Sequence, residues 1–417
     1  MRVRSFPIMN SLRPENLFRL ETLIVLYFLA LLFFGKAFTK FVVIGPLYLH
    51  DAVLLLITLL AINRGRIVAR FNSIWLLLAI ALIYLLVSCL FFHLPGPILL
   101  IAFRQFNLFL YLGCTFVVFN CLVRNKADLS KPLALIRLIS ILSVWLQVGL
   151  ILYGKLFVPG FSLFGEGDYN YFSPLAVFGI ITYSAMVPAY EKNIYLRWVK
   201  LIFALFLSTT IGHSSAFLAV FIVILVYFLT RIRPLHRFIA VGICLSAVLA
   251  LELLPSFRDA NASWRLLYWK HVLNNIVFQH YLILGNGFGR PYMTYDYAVY
   301  INSVLHSPIM LDELYPMARY LAPPHNSLLT IMFHVGLLPT LLLFIPLGRF
   351  FTRILLKPRS ADPSVNFLVY ALAGCFGWVL FNVILELPHS ATFFWLVYMT
   401  TAYALKVEKT PPTSPAT

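Results

Sequence analysis

Residues 213–254 read HSSAFLAVFIVILVYFLTRIRPLHRFIAVGICLSAVLALELL, and this stretch decides the fold. Two apolar runs, 213–230 and 235–254, are each long enough to cross a bilayer core, which takes about 20 residues as helix. Arg231, Arg233 and Arg237 crowd the short turn between them. Two spans joined by a basic turn make a hairpin whose turn faces the cytoplasm.

The same pattern repeats in both directions. Spans are expected at 19–36, 46–63, 73–92, 98–122, 132–154, 171–190 and 196–211 before this hairpin, and at 326–347, 365–387 and 390–405 after it. The chain is 61% hydrophobic and 11% charged, whereas a soluble domain carries about 25% charged residues. An all-α polytopic membrane protein of about twelve helices follows. Its expected divisions are helices one to nine over 1–254, an outer loop over 255–325, helices ten to twelve over 326–405, and a disordered tail over 406–417.

The net charge of +17 does not call for nucleic acid, because placement accounts for it. With the N-terminus inside, only Lys36, Lys40, Lys155, Arg258, Arg265, Lys270, Arg290 and Arg319 fall outside. Arg104 and Arg137 lie within spans, and the rest of the 32 basic residues lie in cytoplasmic segments. Both termini are expected inside and the 255–325 loop outside. The first apolar run is expected to remain as a span, since no small-residue cleavage site follows it and Lys36 and Lys40 come next. Cys89, Cys114, Cys121, Cys244 and Cys375 all sit in spans, which implies neither an outer disulfide nor a metal site. No cofactor is called for.

A loop of this length is functional more often than connective. From Ser263 to His280, Trp264, Leu267, Tyr268, Val272 and Ile276 mark one face of a helix with Ser263 as its N-cap and Arg265 in its first turn. Gly285-Asn-Gly-Phe-Gly289 superficially resembles a phosphate loop, but no strand precedes it within a βαβ unit; a tight turn with close backbone approach is the expectation. Pro323-Pro324 then leads into His325-Asn326-Ser327 at the start of the next span. The helix dipole disfavours a cation there, which suits His325 to the neutral form a general base needs.

Elsewhere, Arg104 lies deep in an apolar run, with Asp51, Glu252 and Glu386 as possible partners; a structural ion pair and a substrate contact are equally open. Glu166, Asp168 and Asn170 form an acidic loop cluster that reads as solvated or as a contact for sugar hydroxyls. His213 with Ser214 and Ser215 lacks the acidic orienter of a serine nucleophile.

Trp264-Arg265, the Gly285–Gly289 turn, Pro324-His-Asn-Ser-Leu-Leu329 and Gly336-Leu-Leu338, in that order, resemble the O-antigen ligase and polymerase superfamily. These are bacterial inner-membrane proteins that move glycans off undecaprenyl diphosphate. The likeness is specific over residues 263–340. It implies a metal-independent inverting transfer from an undecaprenyl-diphosphate-linked donor to a glycan or lipid A-core acceptor. It also implies an inner-membrane location with the loop in the periplasm. Arg265 would bind the donor diphosphate and His325 would serve as base, with Glu166, Asp168 and Asn326 as glycan contacts. The chain departs from the family at 213–215, where many members have Ser-Arg, and before the sixth span. That leaves Arg290 or Arg104 to complete the diphosphate site. The competing reading is a polysaccharide or lipid exporter, which would show related halves and broken helices at mid-membrane.

Overall fold

The computed structural model describes residues 20–35, 38, 41–44, 47–64, 70–91, 96–158, 161, 163, 173–211, 214–242, 260–278, 282–305, 319–357 and 359–408. These residues are helical almost throughout. In chain order the helices are α1 Leu20–Phe33, α2 Leu49–Arg64, α3 Asn72–Phe91, α4 Gly96–Leu122, α5 Ser130–Phe157, α6 Pro174–Tyr190, α7 Ile194–Thr209 and α8 Ser214–Leu229. There follow α9 Ala260–Phe278, α10 Tyr295–Leu305, α11 Ser327–Val335, α12 Leu337–Leu341, α13 Gly348–Leu355, α14 Pro363–Val379 and α15 Pro388–Val407. A further helical stretch covers 234–242. The described strands are one antiparallel pair, Val42–Ile44 with Leu47–Tyr48, between α1 and α2.

Three helical stretches, Asn72–Leu90, Gly96–Leu122 and Ala127–Phe157, are long and apolar enough to cross a membrane. The last begins with a 3₁₀ turn at Ala127–Leu129. Burial sorts the helices by position. Nearly every side chain of α6, α14 and α15 is buried, so these form the centre. Outer helices such as α5 expose large apolar groups, Trp145 at 68% and Leu156 at 73% among them. Apolar surface turned outward is the expected face toward lipid tails.

Close approach, not apolar burial alone, binds the central helices. A Cβ on Gly179 would lie 1.9 Å from Ser143 Oγ, and one on Gly374 would lie 2.5 Å from Val223 Cγ2. The Oγ atoms of Ser140 on α5 and Thr182 on α6 are 2.6 Å apart, and Thr230 and Tyr370 hydroxyls meet at 3.0 Å.

Two elements differ from the sequence reading. The 326–347 run is not one helix. It breaks at Gly336, whose φ of +85° closes α11 and opens α12. The 365–387 run ends as helix at Val379, and 380–387 turns without regular structure.

One end of the bundle is built from arginine. The last carbonyls of a helix have no partner within it, and guanidinium groups supply donors here. Arg70 donates to the Val123 and Arg124 carbonyls just beyond α4. Arg359 Nη2 reaches Pro188 O on α6 at 3.2 Å, and Arg197 Nε reaches Glu191 O beyond the same helix at 3.0 Å. Arg237 is buried. It donates to Ile232 O past α8 at 2.9 Å and to Ile354 O and Lys357 O of the α13 end at 2.8 and 2.7 Å. Arg353 pairs with Glu408 past α15. Cations at helix C-termini also oppose the helix dipole.

Candidate functional site

The opposite end carries α9, the glycine turn and the start of α11. Helix α9 begins at Ala260, three residues before Ser263, so Ser263 is inside the helix and is not its cap. Arg265 accordingly falls in the second turn. There it is released from the dipole penalty that a first-turn position would impose. Tyr268 and Val272 of the expected apolar face are buried as expected. The side chains of Trp264 and Ile276 lie outside the described residues.

Three side chains and one backbone amide hold the backbone of 319–324 from several directions, and they grip its carbonyls. The Arg319 carbonyl accepts from Tyr292 N at 2.8 Å and the Tyr320 carbonyl from Gln105 Nε2 at 2.9 Å. The Ala322 carbonyl accepts from the Tyr268 hydroxyl, and the Pro324 carbonyl from Trp269 Nε1 at 2.6 Å. Burial raises the pKa of both the Tyr268 and Tyr292 hydroxyls well above the ordinary phenol value.

This grip delivers His325. Its amide donates to Pro323 O at 2.8 Å and its φ is +43°. Left-handed backbone costs an L-residue about 1–2 kcal/mol, and such outliers favour functional sites when the surroundings enforce them. Phe71, ahead of α3, is the other described non-glycine residue with positive φ. His325 stands just outside α11. The N-cap is Asn326, whose Oδ1 accepts from Leu329 N at 3.0 Å, a contact worth about 1 kcal/mol. Asn326 therefore already has a structural duty.

Arg265 and His325 are brought to one neighbourhood. Arg265 Nη1 donates to Phe381 O at 3.1 Å. One turn on, Trp269 packs on the Phe381 ring at 5.6 Å while its indole holds the carbonyl next to His325. The contacts that complete this end are not among the expectations from sequence. Ser327 Oγ accepts from the amides of Ile384 and Leu385 at 2.9 and 3.0 Å and donates to Glu386 Oε2 at 2.5 Å. Both lone pairs of the hydroxyl are then used, so Oε2 must be the acceptor. Oε1 of Glu386 is buried with no hydrogen-bond partner. Asn382 Nδ2 reaches Ser215 Oγ at 2.7 Å.

Arg290 and Arg104 form a second neighbourhood, at the far end of the 319–325 segment. Gln105, adjacent to Arg104, accepts from Gly289 N at 2.7 Å and donates to Arg290 O at 3.1 Å and to Tyr320 O. Arg290 and Arg104 are both exposed. Neither described carboxylate of those expected, Asp51 or Glu386, pairs with Arg104. Its Nη1 donates to the Tyr48 hydroxyl. Asp51 accepts from Tyr111 OH at 2.9 Å and Tyr48 N at 3.1 Å, beside His50. Glu386 serves Ser327, and Glu252 lies outside the described residues, as do Glu166, Asp168, Asn170 and His213.

The glycine turn is a joint. Gly285, Gly287 and Gly289 have φ of +72°, +75° and +72°. Its four successive amides are all taken: Asn286 by Phe333 O, Gly287 by His334 O, Phe288 by Ser88 Oγ and Gly289 by Gln105. These four N–H groups cannot cradle a phosphate. Buried His334 closes the joint, with Nδ1 2.8 Å from Gly287 O, Nε2 2.8 Å from Tyr292 OH, and its ring stacked on Phe288 at 4.7 Å. A carbonyl can only accept, so Nδ1 carries the proton and Nε2 accepts from the tyrosine. Among the described residues no three His, Cys, Asp or Glu side chains gather as a metal site would require.

No family model matches the chain, and no curated protein matches it. The likeness to lipid-linked glycan transferases accordingly rests on residues 263–340 and their order.

Proposed function

We propose that this chain is a membrane glycosyltransferase of the O-antigen ligase and polymerase kind, moving a glycan from undecaprenyl diphosphate to an acceptor hydroxyl in surface polysaccharide synthesis. The observation that carries the reading is the shared neighbourhood of Arg265 and His325, with His325 held at a strained φ by the Trp269–Pro324 and Asn326 contacts. A residue kept in a costly conformation by its surroundings is one whose placement matters.

In this reading the acceptor oxygen attacks the anomeric carbon as the bond to the diphosphate oxygen breaks. The electron pair leaves with undecaprenyl diphosphate, and the acceptor proton passes to the His325 imidazole. Arg265 holds the diphosphate and stabilises its developing charge. Arg104 and Arg290 lie further along the 319–325 segment and extend the basic surface over which an anionic donor would lie. Spans numbering about twelve, an inner-membrane location, cytoplasmic termini and a periplasmic loop complete the proposal, on the strength of the charge placement.

A second reading, an exporter, draws on one observation, the α11–α12 helix broken at Gly336; discontinuous helices line transport sites. One experiment separates the two. Purified protein is given undecaprenyl-diphosphate oligosaccharide with and without an acceptor lipid. A ladder of lengthened glycans marks a polymerase, and transfer to the second lipid marks a ligase. His325→Gln should slow product formation by about 10²–10⁴-fold, the usual weight of general base catalysis, while donor retention persists. Turnover by His325→Gln near the normal rate would remove the base assignment. No new glycosidic bond under any condition would leave the exporter.

A further inference from the structure

At the arginine-capped end, α5, α6 and α7 border a cavity of about 310 Å³. Its body is apolar, lined by Ile141, Met186 and Val187, and its rim carries Arg137, Glu191 and Lys200. Ile141 and Met186 are only half-buried, so the cavity opens sideways between helices. Its size matches the small end of ligand sites, about 300–1,000 Å³.

Arg137 is the rim cation with no ion pair among the described residues. Glu191 is held by Lys200 at 2.6 Å. Asp362 turns its Oδ1 to the Ser364 amide at 2.8 Å. Arg137, two turns into α5, has no carboxylate partner among the described residues. Its Nη2 donates to the neutral hydroxyls of Tyr190 and Ser364, the latter at 3.2 Å. Its guanidinium lies over the Tyr190 ring at 4.3 Å. Its Nε is buried and has no acceptor. A cation at that depth in an apolar helix calls for a counter-charge, and an orphaned buried N–H calls for an acceptor.

We infer that this cavity seats one anionic phospholipid of the adjoining leaflet, with its phosphodiester on Arg137 and Lys200 and an acyl chain along Ile141, Met186 and Val187. The phosphodiester gives Arg137 the direct counter-charge it lacks and lies beside the Lys200–Glu191 pair, and the apolar body supplies what a free anion could not use. Membrane leaflets rich in anionic lipid attract cations at this depth in general; the cavity makes the attraction a site. The inference is independent of the glycan reading at the other end.

The test is native mass spectrometry of the full chain released from detergent after exposure to phosphatidylglycerol, phosphatidylcholine or acyl-free glycerophosphoglycerol. The wild type should retain one phosphatidylglycerol, release phosphatidylcholine readily, and ignore the acyl-free headgroup. Arg137→Gln should weaken retention roughly fivefold, the weight of one cation near a lipid headgroup. Met186→Trp fills the cavity and leaves both cations in place, so it should reduce retention to the phosphatidylcholine level. It decides the matter alone if Arg137→Gln does not fold. Equal retention by Met186→Trp and wild type would overturn the inference. So would equal retention of the two phospholipids, or displacement of phosphatidylglycerol by the acyl-free headgroup.

Discussion

The two ends of the bundle use the same residue for different purposes. At one end Arg70, Arg197, Arg237 and Arg359 point their donors at carbonyls that end helices, so their charge is absorbed into the fold. At the other end the loop backbone is secured by neutral donors, the indole of Trp269, the hydroxyl of Tyr268 and the amide of Gln105. Arg104, which donates to the Tyr48 hydroxyl, and Arg290 are both exposed there. A count of positive charge treats the two ends alike. The acceptors identify the scaffold arginines at one end, and Arg265, which donates to the Phe381 carbonyl, is the residue at the other end on which the proposed contrast turns.

The comparison breaks at once if the ends share a side of the membrane. Tyr295 and Lys126 are exposed at opposite ends. In intact spheroplasts an impermeant thiol reagent should label Tyr295→Cys and leave Lys126→Cys untouched, an all-or-none difference. The reverse pattern would invert the topology.

Glycine substitution sharpens it next. A Cβ on Gly285 would lie 2.4 Å from Gly336 N and 2.6 Å from His334 O, at a φ of +72°. Gly285→Ala should cost roughly 3 kcal/mol or more, from left-handed backbone plus overpacking, and should raise hydrogen exchange across 282–292. Gly348 sits at the start of α13 with nothing within 4 Å of its Cβ position. Gly348→Ala should be silent in the same measurement.

Arginine replacement tests the division of labour directly. Arg237→Ala strands several part-buried carbonyls and should lower stability by about 2–3 kcal/mol, with glycan transfer per folded molecule unchanged. Arg265→Ala should do the opposite. Its loss of the Phe381 bond costs about 1 kcal/mol of stability, while donor retention falls roughly 10–150-fold. Arg265→Lys should recover little, since a point charge cannot reproduce the fork. If both replacements affect stability alone, Arg265 belongs with the scaffold arginines.

The smallest effect is a pH slope confined to the site end. His271 stacks on Tyr297 at 3.8 Å, and burial lowers its pKa to about 4. Unfolded histidine takes a proton below about pH 6.5, while the folded ring stays neutral down to about 4. The α9–α10 contact is therefore at full strength above about pH 6.5 and weakens as pH falls toward 4. Hydrogen exchange of 260–305 against pH should show that slope in the wild type and lose it in His271→Phe.

Apolar runs and basic turns made the helices and the arginine-rich segments legible, because both are properties of stretches. The glycine turn could be read as a close-approach joint because only a missing Cβ explains three glycines at alternate positions. Gly336 belongs to the Gly-Leu-Leu motif, but its role as the partner of the turn and the break in the 326–347 run was not legible, because the run is apolar enough to continue as one span. Ser263 misled as a cap because helix-compatible residues precede it. Gln105 gave no signal, and Glu386 was legible only as a possible partner of Arg104, whereas it serves Ser327. Each is a lone polar residue whose meaning comes from contacts 184 and 59 residues away, with Gly289 and Ser327.

The carbonyl grip on 319–324 has a consequence for how this segment can vary. What the neighbours hold is the oxygen every residue type carries, so exposed side chains such as Leu321 can drift while the fit survives. The number of residues cannot. Adding or removing one between Tyr320 and Pro324 would leave Gln105 and Trp269 holding the wrong carbonyls and carry His325 away from Arg265. Along this stretch the molecule measures length and is nearly blind to composition.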